Sequence, residues 1–368
     1  MAVPLPPGTA PFIYRMRIAL ALLVPLAVAA PATAHAQASA PTTAAAPDGA
    51  IEGLKAKFVD VNGVRTRYYE YGQGDTILLI HGGGMGGAST ANNWSKNIRG
   101  LAERFHVLAV DRLAQGLTGN PKDDADFTNE GTVEHLYQFV QTLKLGAIHV
   151  VGHSSGGAIA FYFAAEHPEI AKTLTVVAHG PGMPRPPNRR TKFADILEKC
   201  PPDTASYEHR KCRLLALAHS ADTFSQEYAD ADEYMGRQPK AVEARTRMAA
   251  ATAARPGWPE QQNAAYRQRM WDRAKAGLLP MPILIYVAKQ DTLSWDAKDR
   301  HGMQTDELDF FDIVGTKNPR VKMILINEAG HFPYREHPDQ FNADLIQFID
   351  FWSGRTTGSR GGTGHEDR

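Results

Sequence analysis

The sequence predicts an α/β fold, a mostly parallel sheet flanked by helices with one helical insertion, and three features carry that prediction. Short uninterrupted apolar runs recur through the middle of the chain, as strands covered on both faces require. They alternate with stretches of helical character, the order that strand-helix-strand crossovers produce. The alternation lapses once, after Gly180-Pro181-Gly182, where a proline-rich basic stretch (MPRPPNRR) leads into about ninety residues of helix formers with no clear strand before Met281.

From the amino terminus, residues 1–36 read as a secretory signal. Arg15 and Arg17 precede the uncharged apolar run Ile18–Ala30 (IALALLVPLAVAA), which is too short to span a bilayer comfortably and is interrupted by Pro25. Small residues at Ala34, Ala36 and Ala38 offer cleavage after Ala36 or Ala38. The expectation is a periplasmic or secreted protein with no stable membrane span once the leader is gone. Residues 37–56, rich in Ala, Pro and Thr up to Gly49, are expected to form a flexible lead-in.

The first part of the core is expected over residues 57–182. Phe58–Val61 and Thr66–Tyr71 flank Asn62-Gly63, a two-residue hairpin signal. Thr76–Ile80 (TILLI), Val107–Val110, Ile148–Val151 and Leu174–Ala178 read as strands, with helices over Trp94–Arg104, Thr132–Leu143 and Gly157–Glu166. Residues 183–280 form the predicted helical lid. Residues 281–352 complete the core with strands at Ile283–Val287 and Met323–Ile326 and a helix over Asp339–Trp352. The Gly-rich polar end, residues 353–368, lacks apolar periodicity and is expected to be disordered. Both cysteines, Cys200 and Cys212, fall in the lid; in an oxidising compartment they are either bridged or two buried thiols, and the sequence leaves that choice open.

Composition narrows the function classes. The 40 Lys and Arg balance the 40 Asp and Glu, so the basic excess that a nucleic-acid partner calls for is missing. Hydrophobic residues at 43% and charged residues at 22% fit a chain with a large packed core. A homodimer is allowed.

The chemistry-bearing segment is Gly152-His153-Ser154-Ser155-Gly156, where a predicted buried strand ends and a helix begins. That context gives the G-x-S-x-G pattern its meaning: a nucleophile held on a sharp strand-to-helix turn needs glycine two residues before and after it, so that strand and helix can approach. The frame selects Ser154, since Ser155 would need glycine where His153 stands. A serine hydroxyl requires a base, and the base an orienting carboxylate. Asp291 follows the strand ILIYV and His331 follows MILIN, in the order this arrangement uses. Asp296 and Asp299 lie further on, at an expected helix start, and His337 precedes Pro338 where a capping role suffices. A second glycine-rich loop, His81-Gly82-Gly83-Gly84, follows TILLI. It offers a backbone N–H at Gly83, or Gly84 as the alternative, which with that of Ser155 would form an oxyanion hole. No Lys-Ser or Lys-Thr follows these glycines and no H-E-x-x-H occurs, so neither a nucleotide, a metal nor another cofactor is expected.

HGGGMGG (81–87), Asp111-Arg112, GHSSGG (152–157), Asp291 and Gly330-His331 together resemble the α/β-hydrolase superfamily, and within it the meta-cleavage-product hydrolases, which break carbon–carbon bonds. The likeness runs from about Phe58 to Trp352 and is weakest between Met183 and Pro280. It implies an α/β-hydrolase fold with a lid. The stretch LLALAHSADTFSQEYADADEYMGR resembles that branch and places Arg237 where the family has an arginine that binds a substrate carboxylate. The branch usually carries Asn before the serine and Trp after the histidine; here these positions are His153 and Phe332, which are taken with Arg237 as substrate-binding candidates. Given these two differences, the leading expectation is an exported serine hydrolase acting on a carboxylic ester or lactone. The alternative is carbon–carbon cleavage in a β-diketone or ring-fission product, and a non-catalytic ligand receptor on the same fold is the reading from another class. The partner is a small ester or ketone, and Arg185, Arg189 and Arg190 would give the lid entrance a local positive charge.

Overall fold

The chain order of strand and helix follows from which apolar runs can be covered on both faces. The computed structural model describes residues 45–87, 89–179, 191–203, 206–293 and 305–355. The expected signal, the basic stretch with Arg185, Arg189 and Arg190, Asp296, Asp299 and the tail from residue 356 lie outside the described residues.

A hairpin opens the sheet: β1 (Ala56–Val61) and β2 (Val64–Tyr71) pair antiparallel with Val61 opposite Val64. Asn62 and Gly63 both have positive φ, 51° and 81°, as a tight turn of this hand requires. Then come β3 (Thr76–Ile80), α1 (Ser95–Ala102), β4 (His106–Val110), α2 (Asn129–Thr142), β5 (Ile148–His153), α3 (Ser155–Glu166) and β6 (Ala171–Val177). Among the described residues five helices follow with no strand between them: α4 (Lys192–Leu197), α5 (Tyr207–Leu217), α6 (Gln226–Gly236), α7 (Pro239–Ala254) and α8 (Glu260–Lys275). The core resumes with β7 (Ile283–Ala288), α9 (Thr305–Gly315), β8 (Val321–Ile326), α10 (Pro333–Glu336) and α11 (Pro338–Trp352).

The eight strands lie in the order β1-β2-β4-β3-β5-β6-β7-β8, parallel from β4 onward. TILLI explains the layering. Leu78 and Ile80 join the apolar cluster that includes Phe161, Trp271 and Phe310, while Ile77 and Leu79 join the opposite cluster with Trp94, Phe341 and Leu345. A strand with helices on both faces cannot alternate apolar with polar. Because β3, β5, β7 and β8 run the same way, their following loops gather along one carboxyl edge, where ligand sites of open α/β sheets form.

The structure corrects the sequence reading at some points and completes it at others. The lead-in is packed from residue 45: Ile51 and Leu54 are buried, and the Asp48 carboxylate accepts the N–H groups of Ala50 and Ala56, each at 3.1 Å. The backbone oxygen of Asp48 also accepts from the buried Arg67 Nε at 2.6 Å, an interaction no local pattern announces. α2 starts at Asn129, capped by Thr128 Oγ1 accepting from Gly131 N–H at 3.1 Å. Cys200 and Cys212 are bridged, their Cα atoms 5.8 Å apart, which ties α5 to the end of the α4 segment. Among the described residues no helix is long and apolar enough to cross a membrane.

Candidate active site

Ser154 sits between β5 and α3 with φ 54° and ψ −130°, a strained conformation for a residue with a side chain. Its N–H donates to Val177 O on β6 at 2.9 Å, which fixes the turn against the neighbouring strand. The flanking glycines are sterically required. A Cβ on Gly152 would lie 2.7 Å from Ala160 Cβ, and one on Gly156 would lie 2.5 Å from Ile80 O. The elbow therefore stands directly against the end of β3.

Asp291, on the loop after β7, and His331, on the loop after β8, meet as the sequence order implied. His331 Nδ1–H donates to Asp291 Oδ2 at 2.7 Å, while Asp291 Oδ1 accepts the N–H of Leu293 at 2.9 Å. Both side chains are buried. Holding the proton on Nδ1 leaves Nε2 as the acceptor, the tautomer a general base needs. Among the described residues the His331 ring hydrogen-bonds Asp291 and no other group, so Nε2 is left for the serine hydroxyl. The His331 ring lies 4.7 Å, centroid to centroid, from that of His153, the residue before Ser154. Its backbone N–H donates to Leu217 O at 2.8 Å, linking the base to the last residue of α5.

The loop after β3 is built around two buried side chains. His81 Nδ1–H donates to Gly82 O at 2.8 Å and its Nε2 accepts the backbone N–H of Arg112 at 3.0 Å; burial holds the ring neutral by pushing its pKa well below the ordinary histidine value. Arg112 Nη2 donates to Gly82 O at 3.2 Å and to Gly83 O, and lies 3.3 Å from Ser155 Oγ. Burial lowers the Arg112 pKa to about 9, which leaves it a cation at neutral pH. Ser155 Oγ–H in turn donates to Gly83 O at 2.6 Å. Gly83 takes φ +87°, open to glycine. The N–H groups of Gly83 and Gly84 have no backbone acceptor among the described residues. Ser155 is the first residue of α3, where the N–H lacks an intrahelical partner and the helix dipole favours negative charge.

The family of the α/β hydrolase fold matches residues 75–338, a span that contains the elbow, the glycine loop, Asp291 and His331. The chain belongs to that family. As an α/β hydrolase it is an enzyme, and its relatives refine the comparison. It is 26% identical over 295 residues, 80% of this chain and 90% of the relative, to 2-hydroxy-6-oxo-6-(2'-aminophenyl)hexa-2,4-dienoic acid hydrolase of Metapseudomonas resinovorans. It is 33% identical over 115 residues, 31% of this chain and 40% of the relative, to 2-hydroxymuconate semialdehyde hydrolase of a Pseudomonas strain. The meta-cleavage product hydrolase CumD of Pseudomonas fluorescens shares the fold with a TM-score of 0.61 at 21% identity, over 81% of this chain and 98% of that one.

The three residues expected to bind substrate are each engaged by neighbours in this α/β hydrolase. Arg237 is 65% exposed and pairs with Glu233 one turn back on α6. His153 is buried with both nitrogens committed: Nε2–H donates to His331 O at 2.7 Å and Nδ1 accepts from Tyr334 OH at 3.1 Å. It braces the His331 loop, and neither ring nitrogen is left for a ligand. Phe332 is buried in an aromatic cluster, its ring 4.7 Å from Phe224 and 5.3 Å from His331. Sequence reasoning also missed Glu336, which accepts from Gly330 N–H at 2.5 Å and His219 N–H at 2.6 Å and so pins the turn before His331 to the insertion. Its only signal was a carboxylate five residues after the base.

Two cavities border this machinery. One, of about 690 Å³, lies beside the Asp291 loop and is lined by Lys192, Ala216, His219, Gln290 and Thr292 among others. The other, of about 120 Å³, is lined by Ser89, Arg210, Lys211, Arg213, Asp232 and Glu233 among others. Ser89 stands where a Cβ on Gly83 would fall, so this smaller cavity reaches the glycine-rich loop after β3. Among the described residues no group of three His, Cys, Asp or Glu side chains is placed to hold a metal ion.

Proposed function

We propose that this α/β hydrolase cleaves a carbon–carbon bond beside a ketone in a small acidic dienoate, through Ser154 as nucleophile, His331 as base and Asp291 as orienter. The observation that carries the reading is the end-to-end likeness to a dienoic acid hydrolase, 90% of whose length is covered. Ser154 Oγ attacks the ketone carbon and passes its proton to His331 Nε2, while the N–H groups of Ser155 and of Gly83 or Gly84 receive the developing oxyanion. The tetrahedral adduct collapses as the carbon–carbon bond breaks. With the substrate's dienol first tautomerised to its keto form, the pair of the broken bond moves into the conjugated carbonyl of the leaving fragment as a dienolate, His331 returns the proton to that fragment, and water then releases the acyl group by the same route. Lys211 and Arg213 around the smaller cavity suit the carboxylate end of such a substrate, while Arg210 is paired with Glu233 of the same lining.

A second reading, hydrolysis of a carboxylic ester or lactone, uses the same atoms. His153 and Phe332 favour it, since the carbon–carbon branch usually carries Asn and Trp there. Incubating the protein with a coloured aryl dienoate and, separately, with short-chain aryl esters decides between them. Dienoate turnover with kcat/KM at least a hundredfold above that for the best ester supports the first reading, and the reverse ratio replaces it with the second. Helices α4–α8 are proposed to act as a lid. Export is proposed from the leader at residues 1–36 and from the Cys200–Cys212 bridge, a feature of oxidising compartments.

A further inference from the structure

Arg112 has no part in the relay of Ser154, His331 and Asp291, yet it is a fully buried cation that no carboxylate pairs with among the described residues. A buried charge without an acid partner is costly and needs compensating hydrogen bonds. Those of Arg112 converge on one small structure. Its guanidinium reaches Gly82 O, Gly83 O and Ser155 Oγ, and the Gln115 amide oxygen, in the orientation that satisfies both amide atoms, accepts from Nη2 at 2.6 Å and from Nε at 3.3 Å.

The geometry of the peptide unit turns these contacts into a direction. In a planar trans peptide the C=O of one residue and the N–H of the next point opposite ways. Anchoring Gly82 O to Arg112 and His81 therefore aims the Gly83 N–H away from the guanidinium, and anchoring Gly83 O to Arg112 and Ser155 Oγ does the same for the Gly84 N–H. Ser155, whose own N–H is the other donor, is held to the same guanidinium through its hydroxyl. We propose that Arg112 is the positioning residue of the oxyanion hole, a cationic clamp that aims the donors from the β3 loop and fixes their spacing to the donor at the start of α3. The inference rests on the serine-hydrolase reading of Ser154.

The test compares Arg112→Gln and Arg112→Lys with the wild type, using the substrate turned over best and an aryl trifluoromethyl ketone as probe. The probe adds Ser154 Oγ to its carbonyl carbon, moves the π pair to oxygen and gives the serine proton to His331, so its affinity reads the oxyanion hole directly. Arg112→Gln is expected to lower kcat by about 10²–10³-fold, the scale of losing one oxyanion donor, with KM changed by less than about threefold. Probe affinity should fall by a matching factor, which a merely structural role would not produce. Lys, able to reach fewer of the oxygens at once, should restore part of both. A folded Arg112→Gln with kcat and probe affinity within about threefold of wild type overturns the inference, as does a rise in KM alone. If Arg112→Gln does not fold, Arg112→Lys decides: parallel losses of about tenfold in kcat and probe affinity support the clamp, and unchanged values overturn it. Ser154→Ala separates the two levels. If it is inactive while Arg112→Gln is unaffected, only the clamp fails; if it retains turnover, the serine reading and the clamp fail together.

Discussion

Gly156→Ala is the substitution whose effect the structure specifies most directly. The added Cβ would lie 2.5 Å from Ile80 O and closer still to His81 O, both backbone atoms at the start of the oxyanion loop. An ordinary C···O approach is about 3.3–3.6 Å, so α3 and the β3 loop must separate by about 1 Å. Neither side can yield by a rotamer change, because every atom involved is backbone. The separation lengthens the span between the N–H of Ser155 and that of Gly83 or Gly84, the groups proposed to meet one oxygen. A misplacement of this size costs roughly 10²-fold in rate, and overpacking of this kind costs about 1–3 kcal/mol in stability. The assay is steady-state kinetics beside thermal unfolding. The expected result is a folded enzyme with a lower Tm and kcat reduced about a hundredfold. Wild-type kcat in Gly156→Ala would refute the claim that elbow and oxyanion loop form one rigid unit.

Three further outcomes are expected. Asp291→Asn removes the charge that orients His331 while keeping an oxygen for the Leu293 N–H; kcat should fall about 10⁴-fold with little change in KM, and a loss under tenfold in steady-state assays would count against the relay. Replacing Cys200 and Cys212 by serine opens a bridge of sequence separation 12, which should cost about 3 kcal/mol in denaturant unfolding, and an unchanged midpoint would contradict it. Stability should fall on acidification, because burial lowers His135 and His149 to about 4 while the unfolded chain takes up those protons near pH 6.5. Between those values the unfolded state binds more protons, so this contribution is full above about pH 6.5 and is lost toward pH 4, about 2 kcal/mol per histidine at pH 5. His81 and His153 act in the same direction, and Asp232, whose carboxyl burial raises, acts in the opposite one. A Tm that stays level from pH 7.5 to pH 5 would contradict the balance.

The sequence made the relay legible because its geometry is local. G-x-S-x-G announces the elbow within five residues, although the contacts that hold it come from Ile80, Ala160 and Val177, and Asp291 and His331 follow from which strand ends they occupy. For Arg237 the resemblance gave a position, just past the end of α6, but not the side chain's direction, which the ion pair with Glu233 turns outward. His153 was misread for a related reason: its partners, His331 O and Tyr334 OH, arrive from the far end of the chain. Arg112 stood in a recognised Asp-Arg pair, yet its role depends on two loops, after β3 and after β4, meeting in space. The packed segment from residue 45 was hidden by the low-complexity stretch before it, although Ile51 and Leu54 carried an apolar signal.

The central claim is that Ser154 is the nucleophile activated by His331. Reaction with an aryl fluorophosphonate followed by peptide mass spectrometry tests it most directly. The account predicts one phosphonyl group per chain, on Ser154, absent from Ser154→Ala and slowed by orders of magnitude in His331→Ala. Labelling at another residue, or none in a folded wild-type protein, would contradict it.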